Sequence, residues 1–166
     1  MSSPHLFVLD ANVFIEAAVR YYAFDLVPAF WDSLVIHGNA GRLFTIDRIA
    51  EEIKGDGPLK TWMDGAFVGC IRDSGAPETL AHYAALMQWA QEQSFTDAAK
   101  NEFASVADAW LVAYAKHIGA TVVTHETYDV NCKRRVKIPN VCRFCDVPCV
   151  DTFAMLRSLG VKLGTK

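Results

Sequence analysis

Hydrophobic residues come in short unbroken runs along this chain, separated by longer segments in which they recur every three or four positions. An apolar run without alternation predicts a strand that is covered on both faces, as in a parallel sheet. Three such runs are "LFVLD" (6–10), "RLFTI" (42–46) and "TVVT" (121–124), and "VKIPNVC" (136–142) predicts a fourth strand.

The segments between these runs have the periodicity and the terminal signals of helices. In "PETLAHYAALMQWAQEQ", for example, Leu80, Tyr83 and Met87 share one face. Glycine predicts the end of several helices because it adopts the left-handed conformation of a C-terminal cap. The predicted helices are 12–22, 28–37 (stopped by Gly38), 49–54 (stopped by Gly55), 77–93, 105–118 (stopped by Gly119) and 151–159 (stopped by Gly160).

The alternation of strands and helices predicts the fold class. We expect one domain over 1–166, a three-layer α/β/α sandwich with a mainly parallel central sheet and a helical insertion around 55–95. Sheets of this kind bind ligands at the carboxyl ends of their strands. Asp10 directly follows the first apolar run, so it lies where function is expected rather than core packing.

Length and composition agree with a folded protein of one domain, since 52% of the 166 residues are hydrophobic. The N-terminus has no basic segment before an apolar one, and every apolar run is well short of the ~20 residues that span a membrane. We therefore expect a cytoplasmic protein that does not bind membranes.

The five cysteines predict reduced thiols, because their number is odd and no secretion signal precedes them. The spacing in "CRFCDVPC", with Cys132 as a fourth ligand, leaves a structural zinc site open. The other interpretation is that these cysteines are small buried hydrophobic residues. The cysteines are Cys70, Cys132, Cys142, Cys145 and Cys149.

The net charge of −3 conceals an uneven distribution. Residues 1–132 hold 8 basic and 17 acidic side chains, a net of −9, whereas residues 133–166 hold 8 basic and 2 acidic ones, a net of +6. A short basic block is often a solvated loop. On an acidic body it would also attract a polyanion. The block contains Lys133, Arg134, Arg135, Lys137 and Arg143.

Further carboxylates follow the other predicted strands or begin helices at the same edge of the sheet. Glu51 and Glu52 follow the second strand, Asp108 lies in the first turn of its helix, and Glu126 follows the third strand. Each has an ordinary structural explanation; Asp108, for example, forms S-x-x-D with Ser105, close to a capping box.

These explanations fail when the acids are considered together. Two carboxylates ~4 Å apart repel by about 4 kcal/mol at an effective dielectric near 20, so a convergent group must raise its pKa values or bind a cation. Oxygen ligands without imidazole suit Mg²⁺ or Mn²⁺. A hard cation beside a basic segment predicts phosphodiester chemistry.

These motifs carry a resemblance. "LDANVFIEA" after a strand, then "IAEEIKG", then "VADAWLVAYAKHIGATVVTHE" is similar to the PIN domain, the fold of metal-dependent ribonucleases that includes VapC-type toxins. The similarity covers nearly the whole chain. It implies a metal-dependent endoribonuclease, the toxin of a toxin–antitoxin pair, which leaves a 5′-phosphate and a 3′-hydroxyl and is held by a small antitoxin protein.

The resemblance also implies the site residues. Asp10, Glu52 (the member of its pair that precedes an aliphatic residue), Asp108 and Glu126 match the four acids that act in catalysis and bind Mg²⁺ or Mn²⁺. Asn12 and Thr124 match the polar residues that support them. Glutamate at the last position, where the family usually has aspartate, and the long insertion depart from the pattern.

The basic residues have an expected role in this interpretation: Lys133, Arg134, Arg135 and Lys137 would bind the RNA backbone.

Two alternatives to a nuclease remain open. A phosphatase of the haloacid dehalogenase type would need a second aspartate where Asn12 stands. A PIN-fold module that binds RNA or protein without cutting is the second, since a fold does not guarantee chemistry. Aromatic residues in the insertion also leave a homodimer open.

Overall fold

The sheet is parallel throughout, and its strands follow the order β3-β2-β1-β4-β5. The computed structural model describes residues 5–164. Within them the strands are β1 (Phe7–Leu9), β2 (Leu43–Ile46), β3 (Ile71–Arg72), β4 (Thr121–Val123) and β5 (Cys149–Val150). The helices are α1 (Ala11–Glu16, continued by a π-helical turn Ala17–Tyr21), α2 (Pro28–Asn39), α3 (Asp47–Glu51), α4 (Pro58–Asp64), α5 (Pro77–Glu92), α6 (Asp97–Ser105), α7 (Asp108–Ile118), α8 (Ile138–Phe144) and α9 (Thr152–Ser158).

This topology confirms the predicted α/β fold with a parallel sheet and explains why its centre is buried. The chain builds β1, β2 and β3 outward in one direction and then adds β4 and β5 on the other side of β1. Parallel crossovers are right-handed, so this reversal places helices on both faces. The reversal between β1 and β4 opens a crevice at their carboxyl ends, where sheets of this type bind ligands.

The core fixes the strands and helices that border this crevice. The side chains of β1 and the inner residues of α7, among them Leu111, Val112 and Ala113, are at most 2% exposed. On another side, the aromatic rings of Trp31, Trp62 and Phe67 pack against one another with centroids 4.6–4.9 Å apart. Because both flanks are closely packed, the start of α7 is held rigidly beside the ends of β1 and β4.

Two predicted elements are wrong in type or extent. "VKIPNVC" is not a strand: Lys137 is extended, and Ile138–Phe144 forms α8, with Pro139 in its first turn. Proline is favoured there because the first helical amides need no intrahelical partner. The insertion at 55–95 is helical only in part, since it also contributes β3, which pairs with β2 at the edge of the sheet.

Helix boundaries also differ from the prediction at Gly38. α2 continues through it to Asn39, and Gly41, with φ 76°, is the residue that adopts the left-handed conformation. A Cβ atom on Gly38 would collide with the Sγ atom of Cys70. Glycine at this position therefore allows close packing and does not end the helix. Gly119 does end α7, with φ 73°.

None of the helices within residues 5–164 is long and apolar enough to cross a membrane.

Candidate active site

Asp10 ends β1 inside the crevice and is almost completely buried, at 3% exposure. Its amide donates to the Val123 carbonyl of β4 (2.9 Å), which fixes the backbone at the point where the two strands separate. Burial is the main cause that raises the pKa of Asp10 to about 6, and the charges of Glu126 and Glu52 act in the same direction. A hydrogen bond from Thr124 acts in the opposite direction.

Thr124 follows β4 directly and holds two parts of the site together. Its Oγ1 atom donates to Asp10 Oδ2 (2.9 Å) and accepts from the Glu126 amide (3.2 Å). Thr124 is 2% exposed, so this contact is shielded from water. Thr124 therefore orients one carboxylate and fixes the backbone from which a second one projects.

Asp108 is the first residue of α7 and faces the same crevice. Burial raises the pKa of Asp108 to about 8, and the charges of Asp10, Glu126 and Glu52 act in the same direction. No side chain caps this helix through Asp108 or Ser105; the hydroxyl of Ser105 donates instead to the Glu102 carbonyl. The capping-box explanation of Asp108 is therefore wrong, and its carboxylate is free for another role.

Glu52 reaches the same place from just beyond α3. Its Oε1 atom accepts a hydrogen bond from the amide of Ala107 (3.1 Å), the residue before Asp108. Its charge raises the pKa of both Asp10 and Asp108, so it is the member of the Glu51–Glu52 pair that contributes to the crevice.

Glu126 has the most contacts of the four acids, and its side chain is only 7% exposed. Oε2 accepts from the Ile138 amide at the start of α8 (2.8 Å), while Oε1 lies 2.5 Å from Arg135 Nη2. Oε1 is buried and makes no hydrogen bond with acceptable geometry, so the contact with Arg135 is one of charge. Buried carboxylate oxygens normally have such a bond, and a divalent ion at this oxygen would have to compete with Arg135.

The four carboxylates thus lie close enough for the charge of one to change the pKa of another. They are not, however, arranged around a common point. Within residues 5–164, no three His, Cys, Asp or Glu side chains are arranged so that they could hold a metal ion. The chemistry of the donors nevertheless fits a hard divalent cation: they are oxygen atoms, two of their pKa values are raised by burial and mutual repulsion, and one buried oxygen lacks a hydrogen bond.

The other predicted residues lie around this crevice. Asn12 is half-buried in the first turn of α1, and its side chain makes no hydrogen bond within the described part of the chain. Lys133 and Arg134 are exposed, and Lys137 Nζ lies 3.5 Å from Thr127 Oγ1. Only Arg135 among the basic residues is drawn into the acidic site.

The cysteines do not gather into the zinc site that their spacing left open. Cys142 is buried, whereas the Cys145 thiol donates to the Val141 carbonyl (3.3 Å). Within residues 5–164, they form no group of three ligands for a metal.

Sequence reasoning predicted Arg135 as an RNA-binding residue, but it missed the contact of Arg135 with Glu126 and the surroundings of His125. His125 Nε2 lies 2.8 Å from Thr152 Oγ1 and borders a cavity of about 260 Å³ beside Tyr21. In the sequence Arg135 lies in the basic block, which indicates positive charge only, because the loop that returns it to Glu126 has no periodic pattern.

The fold and the site define the class of this protein. It is an α/β protein with a carboxylate-lined crevice where the strand order reverses between β1 and β4. More narrowly, residues 7–163 match the family model described as "Domain of unknown function (DUF4411)", and the chain belongs to that family. A comparison with curated protein sequences finds no match.

Solved structures with a similar fold include two protein complexes bound to DNA. One is VapBC2 from Rickettsia felis bound to a DNA fragment from its promoter, with 12% identity, coverage of 88% of this chain and 98% of that one, and a TM-score of 0.55. Another is FitAB bound to the IR36 DNA fragment, with 19% identity, coverage of 88% and 94%, and a TM-score of 0.52. At these identities the similarity establishes the fold alone, and it agrees with the predicted PIN-like architecture.

Proposed function

We propose that this protein is a metal-dependent endoribonuclease that hydrolyses RNA phosphodiesters, the toxin of a toxin–antitoxin pair. The observation that carries the proposal is the effect of Asp10 on Asp108. After burial, the charge of Asp10 is the next cause that raises the pKa of Asp108, so carboxylates from distant parts of the chain lie close together at the sheet reversal, where α/β proteins bind ligands. A purely structural site would avoid this repulsion.

Asp10, Glu52 and Asp108 would hold Mg²⁺ or Mn²⁺, and Glu126 would complete the set of ligands directly or through water. When bound, the ion supplies positive charge at the scissile phosphate and a more acidic water as nucleophile. Within residues 5–164 no three of these side chains form a closed group of ligands, so the carboxylates would have to move closer together to bind an ion.

The chain's own residues supply orientation and substrate binding. Thr124 holds Asp10 by the hydrogen bond to Oδ2, and this bond favours the ionised form of the carboxylate. Asn12 is close enough in sequence to Asp10 to orient water or substrate beside it. The exposed side chains of Lys133 and Arg134, with the half-buried Lys137, would bind backbone phosphates, which gives affinity without base specificity.

A small antitoxin protein is the partner that this function requires. The similarity in fold to VapBC2 and FitAB supports such a partner. Arg135 already lies against Glu126, so an antitoxin that binds here would meet a site whose acidity is partly balanced. The proposal places the protein in the cytoplasm, where its RNA substrate is found. A homodimer is compatible with it.

A binding module without nuclease activity is the second candidate. Two observations favour it: no three carboxylates within residues 5–164 are ready to hold an ion, and Arg135 supplies an internal counter-charge. In that case the basic segment would bind RNA that the acidic crevice leaves intact.

Incubation of total cellular RNA with the purified protein, with and without Mn²⁺, separates the two candidates when the fragment ends are mapped. The nuclease predicts Mn²⁺-dependent fragments with 5′-phosphates, and Asp10→Asn abolishes them. Asp32→Asn, an exposed acid on α2, is the matched control and should cut normally. RNA that is bound and never cut, or cut equally by Asp10→Asn, contradicts the nuclease.

A further inference from the structure

A pocket of about 360 Å³ lies between the end of α5, the segment after β4 and α8. We call it the aromatic–basic pocket, and the residues that define it are Trp89, Phe95, Tyr128, Lys133, Arg143 and Phe144. No Asp or Glu of the described chain lines it. In an acidic protein this composition is unusual enough to require an explanation.

The aromatic rings of the pocket are ordered but remain accessible. Phe144 stacks on Trp89 with their centroids 4.7 Å apart and their planes at 18°, yet Phe144 is 49% exposed. Tyr128 is 44% exposed. Packing on one side holds the rings in place, while a large part of their surface faces solvent, where a planar ligand can stack.

The two cations of the pocket lie beside rings and not beside acids. The guanidinium carbon of Arg143 is 4.7 Å from the centroid of the Tyr128 ring, and Lys133 Nζ is 5.8 Å from that of Phe95. Within residues 5–164 neither makes an ion pair. Their charge is therefore not neutralised inside the protein.

The pocket shares its framework with the acidic crevice. Tyr128 follows Glu126 by two residues, and Asn140 of α8 fixes the same loop through bonds to the amide and the carbonyl of Asp129 (3.1 and 2.7 Å). α8 is also the helix whose Ile138 amide holds Glu126. A bound nucleic-acid strand that crosses the acidic crevice can therefore continue into the aromatic–basic pocket along the loop after β4.

From these contacts we propose that the aromatic–basic pocket binds unpaired bases of single-stranded RNA. Tyr128 and Phe144 stack on the bases while Arg143 and Lys133 bind the flanking phosphates. Unneutralised cations beside exposed rings, with no carboxylate, match a polyanion that carries planar π faces. The inference rests on the proposed function in taking RNA as the substrate, and it adds base stacking to the backbone contacts expected of the basic segment.

Binding in EDTA tests the pocket without cleavage. The probe is a fluorescent single-stranded RNA of about 12 nucleotides, compared with an abasic strand of equal length that keeps the phosphates. The wild-type protein should prefer the strand with bases by ~10-fold, as stacking contacts imply. Tyr128→Leu and Phe144→Leu should remove most of that preference, whereas Tyr128→Phe and Phe144→Tyr should keep it.

Two further variants separate stacking from charge and from general damage. Arg143→Gln should weaken both strands alike and lower the slope of log affinity against log salt by about one. Phe153→Leu is the matched control: its ring is 54% exposed, with Arg157 5.8 Å away, but it lies on α9 outside the pocket. It should bind as the wild type does.

The inference is overturned if the wild-type protein binds both strands equally, or if Phe153→Leu loses the preference as strongly as Phe144→Leu. These outcomes are independent of cleavage. RNA cut in Mn²⁺ by a protein that shows no base preference would refute the pocket and keep the nuclease. RNA bound with the predicted base preference and never cut would keep the pocket and refute the nuclease.

Discussion

Arg135 Nη2 lies 2.5 Å from Glu126 Oε1, so the protein places one of its own cations inside its acidic crevice. The Glu126 side chain is 7% exposed and that of Arg135 51%, so an exposed cation covers a buried anion. Its charge also lowers the pKa of Asp108. Arg135 thus balances part of the repulsion that a divalent ion would otherwise balance.

Replacement of Arg135 by glutamine should have opposite effects on the metal-free and metal-bound protein. Without metal, Glu126 loses its counter-charge, and the free energy of unfolding should fall by about 1 kcal/mol, discounted for the exposure of the arginine. With millimolar Mn²⁺ a competing cation is gone, so the rise in melting temperature over EDTA should be larger than in the wild type.

Thermal melting in both conditions checks this prediction, with Arg134→Gln as the control. Arg134 is exposed and makes no ion pair within the described residues, although it carries the same charge one position away. Equal Mn²⁺-dependent shifts for the two variants would show that Arg135 does not compete with the ion.

The stability of the metal-free protein should fall as the pH rises from about 5 to about 8. Burial raises the pKa of Asp10 to about 6 and that of Asp108 to about 8, against an ordinary value of 3.8. Between these values the folded chain binds more protons than the unfolded chain, so unfolding becomes easier with increasing pH. Asp108→Asn, which cannot ionise, should flatten the dependence in EDTA melts; an unchanged slope would contradict the burial of this charge.

Thr124→Val should weaken Mn²⁺ binding by about tenfold, in the range typical of residues that orient a metal ligand. The hydroxyl donates to Asp10 Oδ2 and favours the ionised carboxylate, and valine removes that bond with little change of shape. Thr124→Ser keeps the donor and should retain most of the affinity. If both variants bind equally well in a calorimetric titration, the hydrogen bond does not tune Asp10.

Glu52 and Glu51 provide a comparison within one short segment. Glu52→Gln can still accept from the Ala107 amide, so the start of α7 should stay in place while one charge is lost from the crevice. We expect Mn²⁺ affinity and RNA cleavage to fall by at least tenfold. Glu51→Gln removes the same charge from the neighbouring residue, which is likewise exposed but makes no hydrogen bond to the start of α7 within the described residues, and should change neither. If Glu51→Gln lowers Mn²⁺ affinity and cleavage while Glu52→Gln changes neither, Glu51 is the residue that contributes to the site.

The sequence was sufficient to predict the acids that begin or follow regular elements. Asp10 and Asp108 could be found because an apolar run ends at one and an Ala-rich helix begins at the other. Sheets with parallel strands bring such positions to one edge, and this single rule connects residues almost a hundred positions apart.

The parts that were missed depend on tertiary contacts with no periodic signal. β3 and β5 have two residues each, too few for alternation to appear. The loop between β4 and α8 takes its path from contacts such as the Thr96 amide with the Lys133 carbonyl (2.9 Å) and the Ile138 amide with Glu126. Because this path returns Arg135 to the crevice, its pairing could not be predicted from local pattern.

Direct binding of Mn²⁺ tests most simply whether the carboxylates from four parts of the chain act as one cation site. In isothermal titration calorimetry at pH 8, the wild-type protein and Asp32→Asn should show saturable binding, while Asp10→Asn and Asp108→Asn should each lose at least tenfold in affinity. A wild-type protein that gives no saturable heat, or an Asp10→Asn protein that binds as tightly as the wild type, would contradict the account.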